Sequence, residues 1–250
     1  MANMTTVTCL IPARMESKRF PGKALAPIKK YPMVVHCAIN SIEAGLETFV
    51  CTDHELIQEA CCKEYINVVR TPHFNTGTDR CNWAAKQLTT DNIIILQGDE
   101  PLINSSMLDQ FRKSVESIKN DNILVNGLNP ISAHGDDDLN TVKAYCENNN
   151  IYKLTRKPIA KKYHLKTLIP LKHYRQLGLY GGTPRAFEIF HTLTKSALEA
   201  NEGIEMLRWL SNGKQLIAAP LAGALLSVDT PADLRNVQNI LRDNVSFSTA

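Results

Sequence analysis

The sequence lacks the long apolar segments and paired cysteines that mark membrane and secreted proteins. No apolar run approaches the roughly 20 residues that a membrane-spanning helix requires. Residues 1–6 have neither the basic start nor the apolar core of a secretory signal. The seven cysteines are odd in number, scattered and never spaced as Cys-x-x-Cys, which favours reduced thiols over disulfides or a zinc site. We therefore expect a cytoplasmic protein that does not insert into a membrane.

An excess of charge of either sign is also lacking. The chain has 28 Lys and Arg against 25 Asp and Glu, a net charge of +3. Nucleic-acid binding usually needs a strongly basic face, so we expect no nucleic-acid partner. With 44% hydrophobic residues, the 250-residue chain can bury a sizeable core. We expect a single domain over residues 1–250.

Short apolar runs alternate with helical patterns through the first half of the chain. Continuous apolar strands separated by helices are typical of a parallel sheet covered on both faces. The expected fold class is therefore α/β, a largely parallel twisted sheet with helices on both faces. The predicted strands are residues 7–11, 47–52, 67–70, 92–97 and 124–128. The predicted helices are residues 33–44, a segment capped by Asp53 and running through Ala60, a segment after Arg80 running through Leu88, and residues 105–119.

The pattern changes at about residue 130. Residues 143–154 predict two strands around a turn at residues 148–150, and residues 175–181 predict a return strand. We interpret residues 130–182, with their acidic loop at 134–138 and basic stretch at 157–172, as an inserted antiparallel excursion that could form a dimer. The remaining predictions are helices at 184–193, 198–210 and 230–242 and strands at 215–220 and 225–228.

A basic loop follows the first predicted strand. Pro12 should end that strand, because proline cannot donate to a central ladder. The next ten residues contain a Pro-Gly turn and four cations, Arg14, Lys18, Arg19 and Lys23. Ligands bind at the carboxyl edge of open α/β sheets, so clustered cations there favour a polyanion such as a triphosphate. A solvated basic loop is the alternative, but the fixed offsets of the arginines favour a shaped cradle.

This loop also resembles a known signature. Ala13-Arg14-x-x-Ser17-x-Arg19-x-Pro21-Gly22-Lys23-x-Leu25 is similar to the nucleotide-binding motif of the CMP-Kdo synthetase (3-deoxy-manno-octulosonate cytidylyltransferase) family. The resemblance implies a Rossmann-like nucleotidyltransferase fold, a homodimer, and transfer of CMP from CTP to a 3-deoxy-octulosonic acid, with release of pyrophosphate. The acid would be Kdo or a modified form such as 8-amino-Kdo, for lipopolysaccharide or capsule. The implied nucleotide-binding residues here are Pro12, Ala13, Arg14, Ser17, Arg19 and Lys23; Arg14, Arg19 and Lys23 would also be catalytic.

Two aspartates follow predicted strands. Asp99 lies in Gln97-Gly98-Asp99-Glu100-Pro101, and Asp229 lies in Val228-Asp229-Thr230-Pro231. Each alone could be a turn former or helix cap. Together at one sheet edge they suit Mg²⁺, which binds through one or two carboxylates plus substrate oxygens. In the family these motifs supply the catalytic, magnesium-binding aspartates, so the resemblance implies Mg²⁺ as cofactor.

A third motif is Thr76-Gly77-Thr78-Asp79-Arg80. Its backbone and hydroxyl groups could recognise a base edge, and Arg80 could orient the loop or meet a phosphate. The simpler alternative is a helix N-cap followed by a surface arginine. The resemblance implies that the segment recognises cytosine. It places Thr76, Gly77, Thr78, Arg80, Gln97 and Gly98 among the nucleotide-binding residues.

The implied sugar site departs from the family pattern. Gln176 stands where relatives commonly have His, Gly182 where they have Tyr, and Met206 where they have Gln. These residues fall in the segment that should contact the sugar, so selectivity for unmodified Kdo should weaken, and a modified octulosonate should be accepted at least as well. Glu202 and Glu205 should share one helix face, which could instead be merely solvated. The implied sugar-binding residues are Gln97, Arg156, Gln176, Tyr180, Glu202 and Glu205.

Two other functions compete with this prediction. A cytidylyltransferase for another ulosonic acid, of the acylneuraminate type, would usually lack the Pro-Gly-Lys end of the basic loop. A non-catalytic nucleotide-binding subunit would not need both Asp99 and Asp229.

Overall fold

The computed structural model describes residues 5–131, 138–158, 172–223 and 225–246. The strands in these residues are β1 (Val7–Pro12), β2 (Pro27–Ile28), β3 (Tyr31–Pro32), β4 (Glu47–Thr52), β5 (Asn67–Arg70), β6 (Asn92–Leu96), β7 (Ile123–Pro130), β8 (Lys143–Glu147), β9 (Asn150–Thr155), β10 (Lys172–Gly182) and β11 (Gln215–Pro220). The helices are α1 (Met33–Glu43), α2 (Glu55–Cys62), α3 (Gly77–Ala85), α4 (Ser105–Glu116), α5 (Pro184–Thr192), α6 (Ala197–Glu202), α7 (Met206–Ser211) and α8 (Pro231–Ser246).

Nine of these strands form one sheet in the order β5-β4-β1-β6-β10-β7-β11-β9-β8, and β2 pairs with β3 apart from it. The pairs β5–β4, β4–β1, β1–β6 and β7–β11 are parallel, which confirms the predicted α/β sheet. The antiparallel strands β8, β9 and β10 belong to the same sheet, where β8 pairs with both β9 and β10. β10 also lies antiparallel between β6 and β7, so the predicted antiparallel segment returns into the sheet and joins its two halves.

Helices cover both faces of the sheet, as predicted. On β6, Ile94 and Leu96 belong to one buried cluster with residues of α1, α4 and α8. Ile93 and Ile95 belong to the opposite cluster with residues of α3, α5 and α7. Strand side chains alternate between faces, so a fully buried run is what a two-sided core requires.

The predicted turn at residues 148–150 is confirmed as a tight hairpin. Asn148 and Asn149 have positive φ angles of 47° and 62°, and Glu147 pairs with Asn150 across them. Two successive left-handed residues define the turn geometry that matches strand twist, and asparagine tolerates it better than most residues.

Three local predictions are wrong. His54 caps α2 in place of Asp53, whose carboxylate instead binds Arg80. The helix predicted at 198–210 is two helices, because Gly203 adopts a left-handed φ of 63° and ends α6. Residues 225–228 are not a strand: the Arg175 guanidinium takes the carbonyl of Leu225, which a ladder would otherwise use.

The remaining predictions concern the cysteines, membrane insertion and two charged segments. All seven cysteines are free, and six of them are buried, as expected of reduced thiols. Burial raises the pKa of the Cys9 thiol to about 12. Within the described ranges, every helix is too short or too polar to cross a membrane. Most of the acidic loop and of the basic stretch at 157–172 lie outside the described residues.

Candidate active site

Two adjoining cavities open at the edge of the sheet where β1 and β6 end. The first, which we call the loop cavity, has a volume of about 390 Å³ and is lined by the basic loop. The second, the β10 cavity, has a volume of about 380 Å³ and is lined by β10 and the start of α7. Six residues line both cavities and mark where they meet: Arg14, Thr76, Gly77, Gln97, Asp99 and Asp229.

The basic loop folds back on itself and presents its cations to the loop cavity. Gly22 adopts a left-handed φ of 72°, and its N–H donates to the Met15 carbonyl over 2.9 Å. Arg14 donates to the Asn75 carbonyl, and Arg19 contacts the Asp229 carboxylate at 2.8 Å. The prediction that this loop follows a strand and turns at Pro-Gly is confirmed, and the cations line one space.

Lys23 joins the two aspartates. Its Nζ lies 2.6 Å from Asp99 Oδ2 and 3.4 Å from Asp229 Oδ1, and it donates to the Val228 carbonyl over 3.0 Å. The Val228 N–H in turn donates to the Asp99 carbonyl over 2.9 Å. The strand end at Asp99 and the extended segment before Asp229 therefore meet, as the sequence predicted.

The two carboxylates could hold a cation between them. Both contact one ammonium group, so they lie close enough to share one cation. Among the residues that the structure describes, no group of three or more His, Cys, Asp or Glu side chains is arranged to hold a metal, at this site or at any other. A metal here would depend on these two carboxylates and on substrate oxygens, which is the binding mode that Mg²⁺ prefers.

The Thr76 segment has the predicted cap and also forms part of both cavities. The Thr76 hydroxyl accepts from the Asp79 N–H over 3.1 Å and caps α3. A Cβ added at Gly77 would lie 2.9 Å from Pro12 Cγ and 3.0 Å from Gln97 Oε1. Any larger residue would displace Pro12 or Gln97, so this position requires glycine. With no side chain at Gly77, its backbone lines both cavities.

Arg80 is buried beneath this segment. Its guanidinium donates to the Thr71 hydroxyl over 2.5 Å and to Asp53 Oδ2 over 3.0 Å, with only 1% of the residue exposed. Burial raises the pKa of the Asp53 carboxyl, but hydrogen bonding and charge from Arg80 outweigh it and leave the pKa lowered. These contacts favour the orienting role for Arg80 over the alternative of a surface arginine.

The β10 cavity holds polar side chains of both signs. Arg156 lies at its wall, where it donates to the carbonyls of Glu202 and Asn140. Glu205 accepts from the Thr78 hydroxyl over 2.6 Å, and burial raises the pKa of its carboxyl. Burial likewise raises the pKa of the Tyr180 hydroxyl. A cavity with these groups can bind a polyhydroxylated acid.

Gln176 is held in one orientation by Asn126. The Asn126 amide nitrogen donates to the carbonyls of Gly127, Leu177 and Leu179, so its oxygen must point the other way. That oxygen accepts from Gln176 Nε2 over 2.7 Å. The nitrogen of Gln176 is thus committed to Asn126, and its carbonyl oxygen remains available as an acceptor.

Three predictions about the sugar site are wrong. Glu202 and Glu205 do not share a helix face, because α6 ends at Gly203; Glu202 binds the Thr155 hydroxyl and the Arg156 N–H. Gly182 lies against Leu124 and Ala186, deep in the sheet opposite Ile93. Met206 is fully buried in the core. Of the three departures from the family pattern, only Gln176 lines the β10 cavity.

Sequence reasoning missed several residues that line the cavities. Arg175 and Ser227 line the β10 cavity, and each stands one or two positions from a residue that the motifs identified. Asn140 and Thr141 lie just after the acidic loop and had no signal in the sequence. Phe74 and Met33 line the loop cavity with apolar surface, which the charge pattern could not indicate.

Comparison with known proteins gives one consistent family. A 3-deoxy-manno-octulosonate cytidylyltransferase from Bartonella bacilliformis is 34% identical over 246 residues, 93% of this chain and 97% of the relative. An 8-amino-3,8-dideoxy-manno-octulosonate cytidylyltransferase from Shewanella baltica is 35% identical over 249 residues, 94% of this chain and 98% of the relative. A solved CMP:2-keto-3-deoxy-manno-octonic acid synthetase complexed with CTP superposes with a TM-score of 0.85 at 26% identity, covering 96% of this chain and 100% of that chain. The family model described as cytidylyltransferase matches residues 8–216, and this chain belongs to that family.

Proposed function

We propose that this chain transfers CMP from CTP to the anomeric hydroxyl of a 3-deoxy-octulosonic acid and releases pyrophosphate. The observation that carries the proposal is the pair of cavities that meet at Asp99 and Asp229. The loop cavity, lined by cations, suits a triphosphate. The β10 cavity, with Arg156 and Glu205, suits a polyhydroxylated acid. The activated sugar acid would serve lipopolysaccharide or capsule synthesis.

The chemistry needs no covalent intermediate. The sugar hydroxyl attacks the α-phosphorus in line, the new oxygen–phosphorus bond forms, and the bond to the bridging oxygen of pyrophosphate breaks. Arg14, Arg19 and Lys23 face the triphosphate and offset the charge that develops on the leaving group. The backbone at Gly77 and the amide of Gln97 lie where the cytosine would be recognised.

Asp99 and Asp229 would hold Mg²⁺ in this proposal. A bound Mg²⁺ would supply neutralisation of the phosphate charge. Two residues of the basic loop position these carboxylates. Lys23 contacts both and keeps them adjacent, and Arg19 contacts Asp229.

Two features favour an octulosonic acid that carries hydrogen-bond donors, including an amino-substituted one. Gln176 presents a neutral acceptor where an imidazole is common in the family, so it cannot repel an ammonium group as a protonated histidine would. Glu205 adds a carboxylate to the same cavity. The relatives quoted above act, by their names, on both the unmodified and the 8-amino acid.

We further propose that the enzyme works in the cytoplasm as a homodimer. β9 pairs with β8 along one side and with β11 at only one residue pair on the other, and Leu139 and Tyr152 near this open side are exposed. Exposed apolar groups beside a sheet edge are candidates for an interface. Light scattering coupled to size-exclusion chromatography measures the mass in solution, which should be twice that of one chain.

Pyrophosphate release with CTP and a panel of sugar acids tests the function. We expect turnover with Kdo and with 8-amino-Kdo, because both present the carboxylate and hydroxyls that the β10 cavity suits. The kcat/KM of the amino form should at least equal that of Kdo. A strong preference for Kdo would contradict the argument that Gln176 favours an amino-substituted acid. Turnover of N-acetylneuraminate alone would support the acylneuraminate alternative, and no turnover with any acid would support a non-catalytic subunit.

Nucleotide preference is a second expected outcome. Gly77 packs closely against Pro12 and Gln97 where the base would be recognised, so CTP should be strongly preferred over ATP and GTP. A ligand at 100 times its Kd stabilises a protein by about 2.7 kcal/mol, so the preference should be visible as a larger rise in Tm with CTP. Equal rises with all three triphosphates at one concentration would contradict base recognition at this site.

A further inference from the structure

A carboxylate next to Asp99 is buried and lines neither cavity. Glu100 is 4% exposed, although it follows directly after a residue that opens to solvent. One of its oxygens, Oε1, accepts from the Ser227 hydroxyl over 3.1 Å and from the Gly178 N–H over 2.9 Å. Buried carboxylates are rare unless they are paired, so these contacts call for an explanation.

Arg175 completes the arrangement around Glu100. Its guanidinium donates to the Ser227 hydroxyl over 2.5 Å and to the Leu225 carbonyl over 2.7 Å. The Ser227 hydroxyl has one proton, which it gives to Glu100, while its lone pairs accept from Arg175. A continuous line of hydrogen bonds therefore runs from a cation through a hydroxyl to a carboxylate.

These bonds tie together three segments: the residues that follow β6, the segment before Asp229, and the irregular part of β10. The segment of residues 225–228 is not a strand and so has no ladder to hold it in place. β10 breaks its register with β7 between Gln176 and Tyr180, which is where Gly178 lies. The Gly178 carbonyl accepts from the Gln97 N–H over 2.8 Å, so the break faces the end of β6. Glu100 contacts both irregular segments at once.

We infer that Glu100, acting through Ser227 and Arg175, sets the relative position of Asp99 and Asp229 and of the β10 segment that carries Gln176. Glu100 is a positioning residue, because it lines neither cavity and reaches them only through other residues. Ser227 stands two residues before Asp229, and Glu100 stands one residue after Asp99. The inference rests on the proposed function for what the two aspartates hold, and on hydrogen bonds and burial for how they are held.

Metal affinity reports directly on the relative position of Asp99 and Asp229. We would measure binding of Mn²⁺, a spectroscopic substitute for Mg²⁺, to the wild-type protein saturated with CTP, by electron paramagnetic resonance. Loss of an outer-shell partner typically lowers metal affinity by about 10- to 100-fold, so Glu100→Ala should weaken Mn²⁺ binding by at least about 10-fold. Binding of CTP without metal should change by less than about 3-fold, because the cations of the loop cavity are untouched.

The conservative variant separates positioning from charge. In Glu100→Gln the amide oxygen can accept both of the bonds that Oε1 now accepts, so Mn²⁺ affinity should stay within about 3-fold of wild type. Glu59→Ala, at an exposed glutamate on α2, controls for the loss of one carboxylate away from the cavities and should leave every readout unchanged. Ser227→Ala keeps Glu100 but removes the hydroxyl between it and Arg175, and should weaken Mn²⁺ binding in the same direction.

The outcomes distinguish the inference from the function on which it rests. Failure of wild-type protein with CTP to bind Mn²⁺ would overturn the proposed metal site, and this inference with it. Normal Mn²⁺ binding by wild type, with unchanged affinity in folded Glu100→Ala, would overturn the inference alone. If Glu100→Ala does not fold, Ser227→Ala decides: wild-type affinity in that variant overturns the inference, and weakened affinity with intact CTP binding supports it.

Discussion

Replacing Asp99 or Asp229 with asparagine should lower turnover by about 10³-fold or more while the fold stays intact. A bound metal supplies several kcal/mol of charge stabilisation in such reactions, and each 1.36 kcal/mol is tenfold in rate. Asparagine keeps the shape of aspartate but has no charge to hold a divalent cation. Both side chains are partly exposed, at 28% and 37%, so the substitution removes charge without opening the core.

The assay is pyrophosphate release at saturating and at limiting Mg²⁺, with CTP and the preferred sugar acid. Asp109→Asn is the matched control, because that carboxylate is similarly exposed at 34% and forms ion pairs on α4 outside both cavities. Its turnover should equal that of wild type. Wild-type rates from Asp99→Asn or Asp229→Asn at limiting Mg²⁺ would exclude these residues as ligands.

A second measurement separates loss of metal from loss of nucleotide. In Asp229→Asn, Arg19 and Lys23 no longer face a full negative charge at that residue. CTP binding in the absence of metal should therefore be retained or strengthened. A variant that loses metal-free CTP binding would have lost the shape of the cavity, and its turnover would not report on the metal.

The lining of the loop cavity could be predicted because it depends on strand ends. β1 and β6 are continuous apolar runs, and the residues that follow them must meet at one edge of a parallel sheet. That geometry requires no knowledge of side-chain direction, so Arg14, Gln97 and Asp99 were found correctly at the edge. Asp229 was also placed there, although the segment before it is held by side chains and not by a ladder.

The lining of the β10 cavity could not be predicted in full because it depends on long-range topology. A motif gives the position of a residue in the chain but not the direction of its side chain. Gly182 lies along β10 beyond the cavity, and only the antiparallel pairing with β6 shows that it is opposite Ile93. Met206 points into the core because Gly203 breaks the predicted helix and resets its faces. The insertion of β10 between β6 and β7 brings Arg175 to the site, and no local pattern predicts that pairing.

Replacing Lys23 with methionine should have the second large effect, with opposite signs on two measurements. Lys23 contacts both aspartates and is 18% exposed, so its ammonium group is partly withdrawn from water. Removing one preorganised donor to developing charge typically lowers kcat by about 10²- to 10³-fold, and we expect a loss of that size here. The KM for CTP should rise as well, because one of the triphosphate's cations is gone.

Metal binding to the nucleotide-free protein should change in the other direction. In the wild type, the Lys23 ammonium already occupies the space between the two carboxylates and competes with any added cation. Without it, Asp99 and Asp229 repel each other, and a divalent cation relieves that repulsion. Lys23→Met should therefore bind Mn²⁺ more tightly than wild type before CTP is added, even though it turns over far more slowly.

The change in kcat and the change in Mn²⁺ affinity together identify the role of Lys23. Lys86→Met, an exposed lysine at the end of α3, is the control for the loss of one positive charge and should change neither measurement. A variant that merely unfolds the loop would lose metal binding along with turnover. Weaker Mn²⁺ binding by folded Lys23→Met, or a kcat within a few-fold of wild type, would contradict the idea that one ammonium group both holds the carboxylates together and serves the triphosphate.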